Sequence, residues 1–78
     1  MKQKPASLKF PRQGKLLGKL RQYDITYQEL GEFVGLTASG VEAIVNGRVD
    51  FKLSIARKIK TYLVKKSKAE ISLSDIIE

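Results

Sequence analysis

Apolar residues recur three and four apart along most of the chain, and the breaks in that rhythm divide it into helices. From Arg12 onward Leu16, Leu17, Leu20 and Tyr23 fall at helical spacing and predict a first helix that ends near Asp24, weakened by Gly14 and Gly18. Thr26 followed by Glu29 has the form of a capping box. The hydroxyl serves the open N–H groups of a new helix and the carboxylate returns the bond, so a second helix begins at Tyr27. Its inward face is expected to be Leu30, Phe33 and Val34, and Gly35 supplies the left-handed backbone that stops a helix without a Cβ clash. Thr37 is placed to cap a short third helix, whose stripe of Val41, Ile44 and Val45 runs into Asn46 and Gly47. After the RVDF connection, Ile55, Ala56, Ile59, Tyr62 and Leu63 mark one face of a fourth helix, with Lys52, Arg57, Lys58 and Lys60 mostly on the others. Ser72 and Asp75 form a second capping box ahead of Leu73, Ile76 and Ile77, which predicts a short closing helix. Residues 1 to 11 carry Pro5 and Pro11 and no sustained stripe, and read as an extended basic arm; residues 12 to 78 read as one compact all-α domain of four to five helices.

Composition narrows the chemistry. Seventy-eight residues hold a single small core. With no Cys and no His, a disulfide framework, a thiolate metal site and the usual zinc ligand sets are all absent, and no cofactor or metal is expected. The apolar runs are far shorter than a membrane span, and the basic start is followed by no apolar signal core, so a cytoplasmic protein without a membrane partner is expected. The sequence contains no GxSxG elbow, no SxxK motif and no GxxxxGK[ST] loop, and neither an enzyme nor a small-molecule substrate is expected.

The net charge of +7 is unevenly spread. Residues 1 to 22 hold seven Lys or Arg and no acid, residues 51 to 68 hold seven more and no acid, and the intervening stretch is acidic apart from Arg48. Basic flanks suit a polyanion such as double-stranded DNA, because each cation on a phosphate releases counterions. A solvated, solubilising surface explains the same charge, and charge alone leaves both open.

Spacing adds more. Two short helices joined by a glycine-containing turn make a helix-turn-helix, in which the second helix lies in the major groove. With Tyr27 as the first of twenty positions, Gly31 falls fifth, Gly35 ninth, Val41 fifteenth and Ile44 eighteenth. The stretch YQELGEFVGLTASGVEAIVNG resembles the helix-turn-helix of phage lambda repressor and Cro-type regulators, and the likeness runs from near Lys15 to the SLSDII tail, which resembles that family's fifth helix. The resemblance implies a lambda repressor-like DNA-binding domain with its motif at residues 27 to 46. It also implies a small Cro-like phage or prophage transcription regulator, acting as a repressor by occupying an operator as a symmetric homodimer.

In that architecture Ala38, Ser39 and Glu42 at the exposed start of the third helix, with Arg48 just beyond it, face base edges. They offer a methyl to thymine, a hydroxyl, and an acceptor for cytosine N4, and DNA shape supplements this sparse readout. Glu42 is equally an exposed helix former that repels phosphate. Thr26, Tyr27, Gln28, Thr37, Asn46 and Lys52 are the expected phosphate contacts. Thr26 and Thr37 are caps first, and the Tyr27 ring is placed to pack at Phe33's end of the helix with its hydroxyl reaching outward. Lys2, Lys4, Lys9 and Arg12 of the arm either follow a DNA groove or remain a solvated tail. Gly40 costs about 1 kcal/mol relative to Ala inside a helix; it either lets the backbone approach DNA closely or relieves crowding within the domain. The rival function is a protein-interaction module of the antitoxin or antirepressor type, working through helix four and the tail. Ile71, Leu73, Ile76 and Ile77 either close the core or leave a patch for a partner subunit.

Overall fold

Gly14–Gln22 (α1), Tyr27–Val34 (α2), Ala38–Val45 (α3) and Leu53–Ser67 (α4) are the α-helices of the computed structural model, which describes residues 10–78. A single 3-10 turn, Leu73–Asp75, follows, and no strand occurs among the described residues. The structure is all-α.

Local chemistry sets most of these boundaries. The Thr26 hydroxyl accepts from Glu29 N–H at 3.0 Å and the Thr37 hydroxyl from Gly40 N–H at 3.0 Å, so both short helices start on side-chain caps. Gly35 ends α2 at φ 86°, and its N–H and that of Leu36 both close on the Gly31 carbonyl, at 2.8 and 2.7 Å. α1 starts at Gly14, two residues later than the stripe suggests, because Gln13 turns away from helical geometry and gives its N–H to the Val45 carbonyl at 2.8 Å. The expected closing helix is one 3-10 turn; there the Asp75 carboxylate accepts from Ser72 N–H at 2.9 Å.

The core is drawn from all four α-helices: Leu16 and Leu20 of α1, Leu30 and Val34 of α2, Val41, Ile44 and Val45 of α3, and Ala56, Ile59 and Leu63 of α4. Ile25 and Phe51 from the connections and Ile71 and Ile76 from the tail complete it. Leu73 and Ile77 pack half-buried against it. The tail isoleucines therefore close the core instead of forming a patch. α2 sits between α3 and α4, and Gly31 makes that possible: a Cβ there would lie 2.6 Å from the Leu36 carbonyl oxygen and 3.1 Å from that of Thr37. α2 and the turn to α3 touch backbone to backbone.

Three side chains depart from their expected places. Phe33 is 42% exposed, because α4 covers only one of its faces, through Tyr62 at 4.7 Å between ring centroids. Tyr27 packs toward α1, in a depression lined by Leu17, Leu20, Arg21 and Ile25, and not at Phe33's end of α2. Glu29, expected to return the capping bond, gives its carboxylate mainly to α4: it accepts from the Tyr62 hydroxyl and pairs with Lys66 Nζ at 2.9 Å.

Candidate nucleic-acid interface

α3 buries Val41, Ile44 and Val45, and with about 3.6 residues per turn the opposite arc must carry Ser39, Glu42, Ala43 and Asn46. Ala38, Ser39 and Glu42 are exposed, and Ala43 and Asn46 are half-buried. This arc bears no side chain longer than Glu42. Ala43, four residues on from Ser39, belongs to it by spacing; its apolar character disguises it in sequence as a core position.

Gly40 lies at the edge of the arc. A Cβ there would meet the Thr37 hydroxyl oxygen at 3.4 Å and Leu36 Cβ at 3.5 Å, which is ordinary contact. Crowding within the domain therefore does not require glycine at this position.

The remaining candidates fall into three places. Lys52 lines a groove of about 400 Å3 with Gly40, Ala43 and Val49, so it faces the same edge of α3. Thr26 and Tyr27, at the start of α2, border the depression shared with Arg21 of α1. Gln28 beside them is exposed, with its amide nitrogen 3.5 Å from Glu32. At the other end of α3, Phe10 N–H donates to the Gly47 carbonyl at 3.1 Å and Gln13 N–H to Val45, which lays the segment that carries exposed Arg12 along the backbone of residues 45–47, next in sequence to exposed Arg48. Gly47, at φ 79°, has no room for a Cβ against the Phe10 carbonyl. Lys2, Lys4 and Lys9 lie outside the described residues.

Electrostatically, the hydroxyls of Thr26 and Thr37 each accept a helix N–H and keep their own hydrogen to donate outward, as to a phosphate oxygen. The perturbed ionisations lie elsewhere. Hydrogen bonding from Tyr62, and next from Lys66, holds the Glu29 carboxyl below the usual carboxylate range. The same bond raises Tyr62, and Glu29 raises Lys66. Bonds from Ser72, backbone first, lower Asp75. No group of three or more acidic residues among the described ones is placed to hold a metal ion. No helix among the described residues is long and apolar enough to cross a membrane.

Arg21 and Ala43 were not singled out by sequence. Arg21 is one cation in a basic segment, and only the fold shows which cations adjoin the start of α2. Comparison of the chain with protein-family models, with curated proteins and with solved structures finds no significant match.

Proposed function

We propose that the chain binds double-stranded DNA sequence-specifically as a transcription regulator, a Cro-like repressor of the phage lambda repressor type, with α2, the Gly35 turn and α3 as its helix-turn-helix. The observation that carries this is the outward arc of α3. It is thin, uncharged apart from Glu42, and keeps a glycine at position 40 that packing within the domain does not demand. A helix so trimmed fits a major groove about 12 Å wide with its backbone close to the base edges. Ala38, Ser39, Glu42 and Ala43 then meet bases. Thr26, Tyr27, Gln28, Thr37, Asn46 and Lys52, with Arg12 and Arg48, reach the flanking phosphates, and Arg48 also reaches bases beyond the helix. The mechanism is occupancy: the bound protein excludes polymerase from a promoter, without chemistry or cofactor. The surplus of cations on α1 and α4 supports the same reading, since it attracts a polyanion over distances set by salt.

The test is footprinting on DNA flanking the gene, repeated at several salt concentrations. A protected site whose affinity falls steeply with salt is expected, each phosphate contact adding roughly 0.9 to the logarithmic slope. Gly40→Lys is expected to abolish protection while the melting temperature stays near that of the wild type. Full affinity in that variant would end the close-approach argument, and the absence of any protected site would end the reading itself.

A further inference from the structure

The turn that closes α3 reads Asn46-Gly47-Arg48, and of its first two residues only the second is dictated by the fold. Gly47 is buried at φ 79°, and a side chain there has no room against the carbonyl of Phe10. Asn46 ends the helix at φ −89°, on the side of the backbone map that every L-residue occupies. Its carboxamide makes no hydrogen bond among the described residues, so neither backbone nor side chain requires asparagine. That carboxamide, half-buried at the end of the outward arc, precedes a residue with no side chain to hinder approach of its backbone nitrogen. Exposed Arg48 follows, a cation that favours loss of the neighbouring N–H proton. Three backbone bonds hold the turn: Gly47 N–H to the Ile44 carbonyl at 3.2 Å, Arg48 N–H to that of Ala43 at 2.9 Å, and Phe10 N–H to that of Gly47 at 3.1 Å.

We propose that Asn46-Gly47 is a self-modifying site, gated by the turn that contains it. The Gly47 backbone nitrogen gives up its proton, forms a bond to the side-chain carbonyl carbon of Asn46 and expels the amide nitrogen as ammonia, closing a cyclic imide. Water then opens the ring at one carbonyl or the other and leaves Asp, or isoAsp with the side-chain carbon carried into the main chain. The reaction consumes a water, releases an ammonia and needs neither an enzyme nor a redox partner. At ψ 2° the Gly47 nitrogen is turned away from the Asn46 side chain. The rotation that brings them together pulls Gly47 and Arg48 off the carbonyls of Ile44 and Ala43, and Gly47 off Phe10. Three such bonds at their usual net worth slow closure about ten- to a thousandfold relative to an unstructured chain. The product carries a carboxylate at the C-terminal end of α3, where the helix dipole is already negative. The consequence for DNA rests on the proposed function: a phosphate contact becomes a phosphate repellent, and the protein loses DNA affinity with age. The chemistry itself is tested without DNA.

Mass spectrometry of the full chain held in mildly alkaline buffer tests it, with peptide mapping to place the amide-to-acid mass gain and isoaspartate detection to identify the product. Conversion is expected at Asn46 in the folded chain, about ten- to a thousandfold slower than in denaturant. Val45→Ala removes buried contacts from the last turn of α3 and should convert faster than the wild type. Asn46→Gln, whose longer side chain closes a larger ring, should convert far more slowly. A folded chain that converts as fast as the denatured one has no gate, and a position that stays intact in both the wild type and Val45→Ala is no site; either result overturns the proposal. Asn46→Asp reports the consequence: its DNA affinity is expected to fall about tenfold or more, and bound DNA should slow conversion of the wild type. DNA that binds Asn46→Asp as tightly as the wild type and leaves the conversion rate unchanged overturns the loss of affinity with age. Conversion that behaves as expected in a protein that protects no DNA keeps the modification and removes the operator reading.

Discussion

Gly31 and Gly40 have the same composition and opposite constraints. At Gly31 an added methyl would sit 2.6 Å from a backbone oxygen that is held in place by the turn, so the strain cannot be relieved by a side-chain rotation. At Gly40 the same methyl would make ordinary contacts with Thr37 and Leu36 and would favour the helix. Gly31→Ala is therefore expected to destabilise by about 1–3 kcal/mol or more. Gly40→Ala is expected to stabilise by up to about 1 kcal/mol, the helix-propensity difference. Thermal melts of the two variants against wild type check both signs. A residue that lowers stability and fills no packing need is a candidate for selection by function, and this is why the alanine variant should also bind operator DNA less tightly if the close approach of α3 is what glycine serves.

The clasp between α2 and α4 shows how a helix face carries more than its apolar stripe. Glu29 of α2 accepts from the Tyr62 hydroxyl and pairs with Lys66, while Phe33 one turn on packs against the Tyr62 ring and has the Lys65 amine 6.0 Å over its centre. Because folding lowers the Glu29 ionisation, the clasp's contribution is present above the unfolded carboxylate pKa and is lost as pH falls through the folded one. Folding raises Tyr62 and Lys66, so their contribution is present below their unfolded values and lost as pH rises through the folded ones. The clasp is thus complete between the carboxylate range and the tyrosine range. In Tyr62→Phe the largest cause of the lowered Glu29 ionisation is gone. The Glu29 carboxyl carbon resonance should titrate at higher pH, and the loss of melting temperature on acidification should be smaller than in the wild type. Titration unchanged from wild type would show that the tyrosine does not hold the carboxylate. None of this was legible from sequence. The caps at Thr26 and Thr37 and the stop at Gly35 are written within three or four residues, where local geometry decides the outcome. The partner of Glu29 lies 33 residues away, and a Thr-x-x-Glu pattern accounts for that carboxylate so fully that no further partner is sought. Phe33 failed for a related reason: its spacing from Leu30 places it at the margin of the stripe, and whether a margin is covered depends on the neighbouring helix. On α3 the exposed positions followed from period alone, except that Ala43 looks apolar enough to belong inside.

One buried polar residue ties the tail to the start of α1 through its side chain and to α3 through its backbone. Gln13 is 3% exposed and bonds in three directions. Its N–H donates to the Val45 carbonyl at 2.8 Å, its Oε1 accepts from Glu78 N–H at 2.8 Å, and its Nε2 donates to the Pro11 carbonyl at 3.3 Å. Glu78 in turn caps α1, its carboxylate accepting from Lys15 N–H at 3.0 Å, where Gln13 itself supplies no side-chain cap. The tail, the start of α1 and the last turn of α3 therefore meet at Gln13, with Lys15 making a second link between the tail and α1. Gln13→Ala removes the bond to the Glu78 N–H, a part-buried one, and is expected to cost about 0.5–1.5 kcal/mol. Glu78→Gln keeps an acceptor for Lys15 N–H and loses only the charge at the helix N-terminus, so about 0.3–1 kcal/mol is expected. Chemical denaturation gives both numbers, and amide exchange locates the effect: protection should fall in the tail and at the start of α1 in Gln13→Ala, while the end of α3, whose Val45 carbonyl still accepts the backbone N–H at position 13, and α4 keep their own. If exchange quickens only in the tail, the Gln13 side chain holds the tail alone; if it quickens at the end of α3 as well, the side chain also steadies the backbone that bonds Val45.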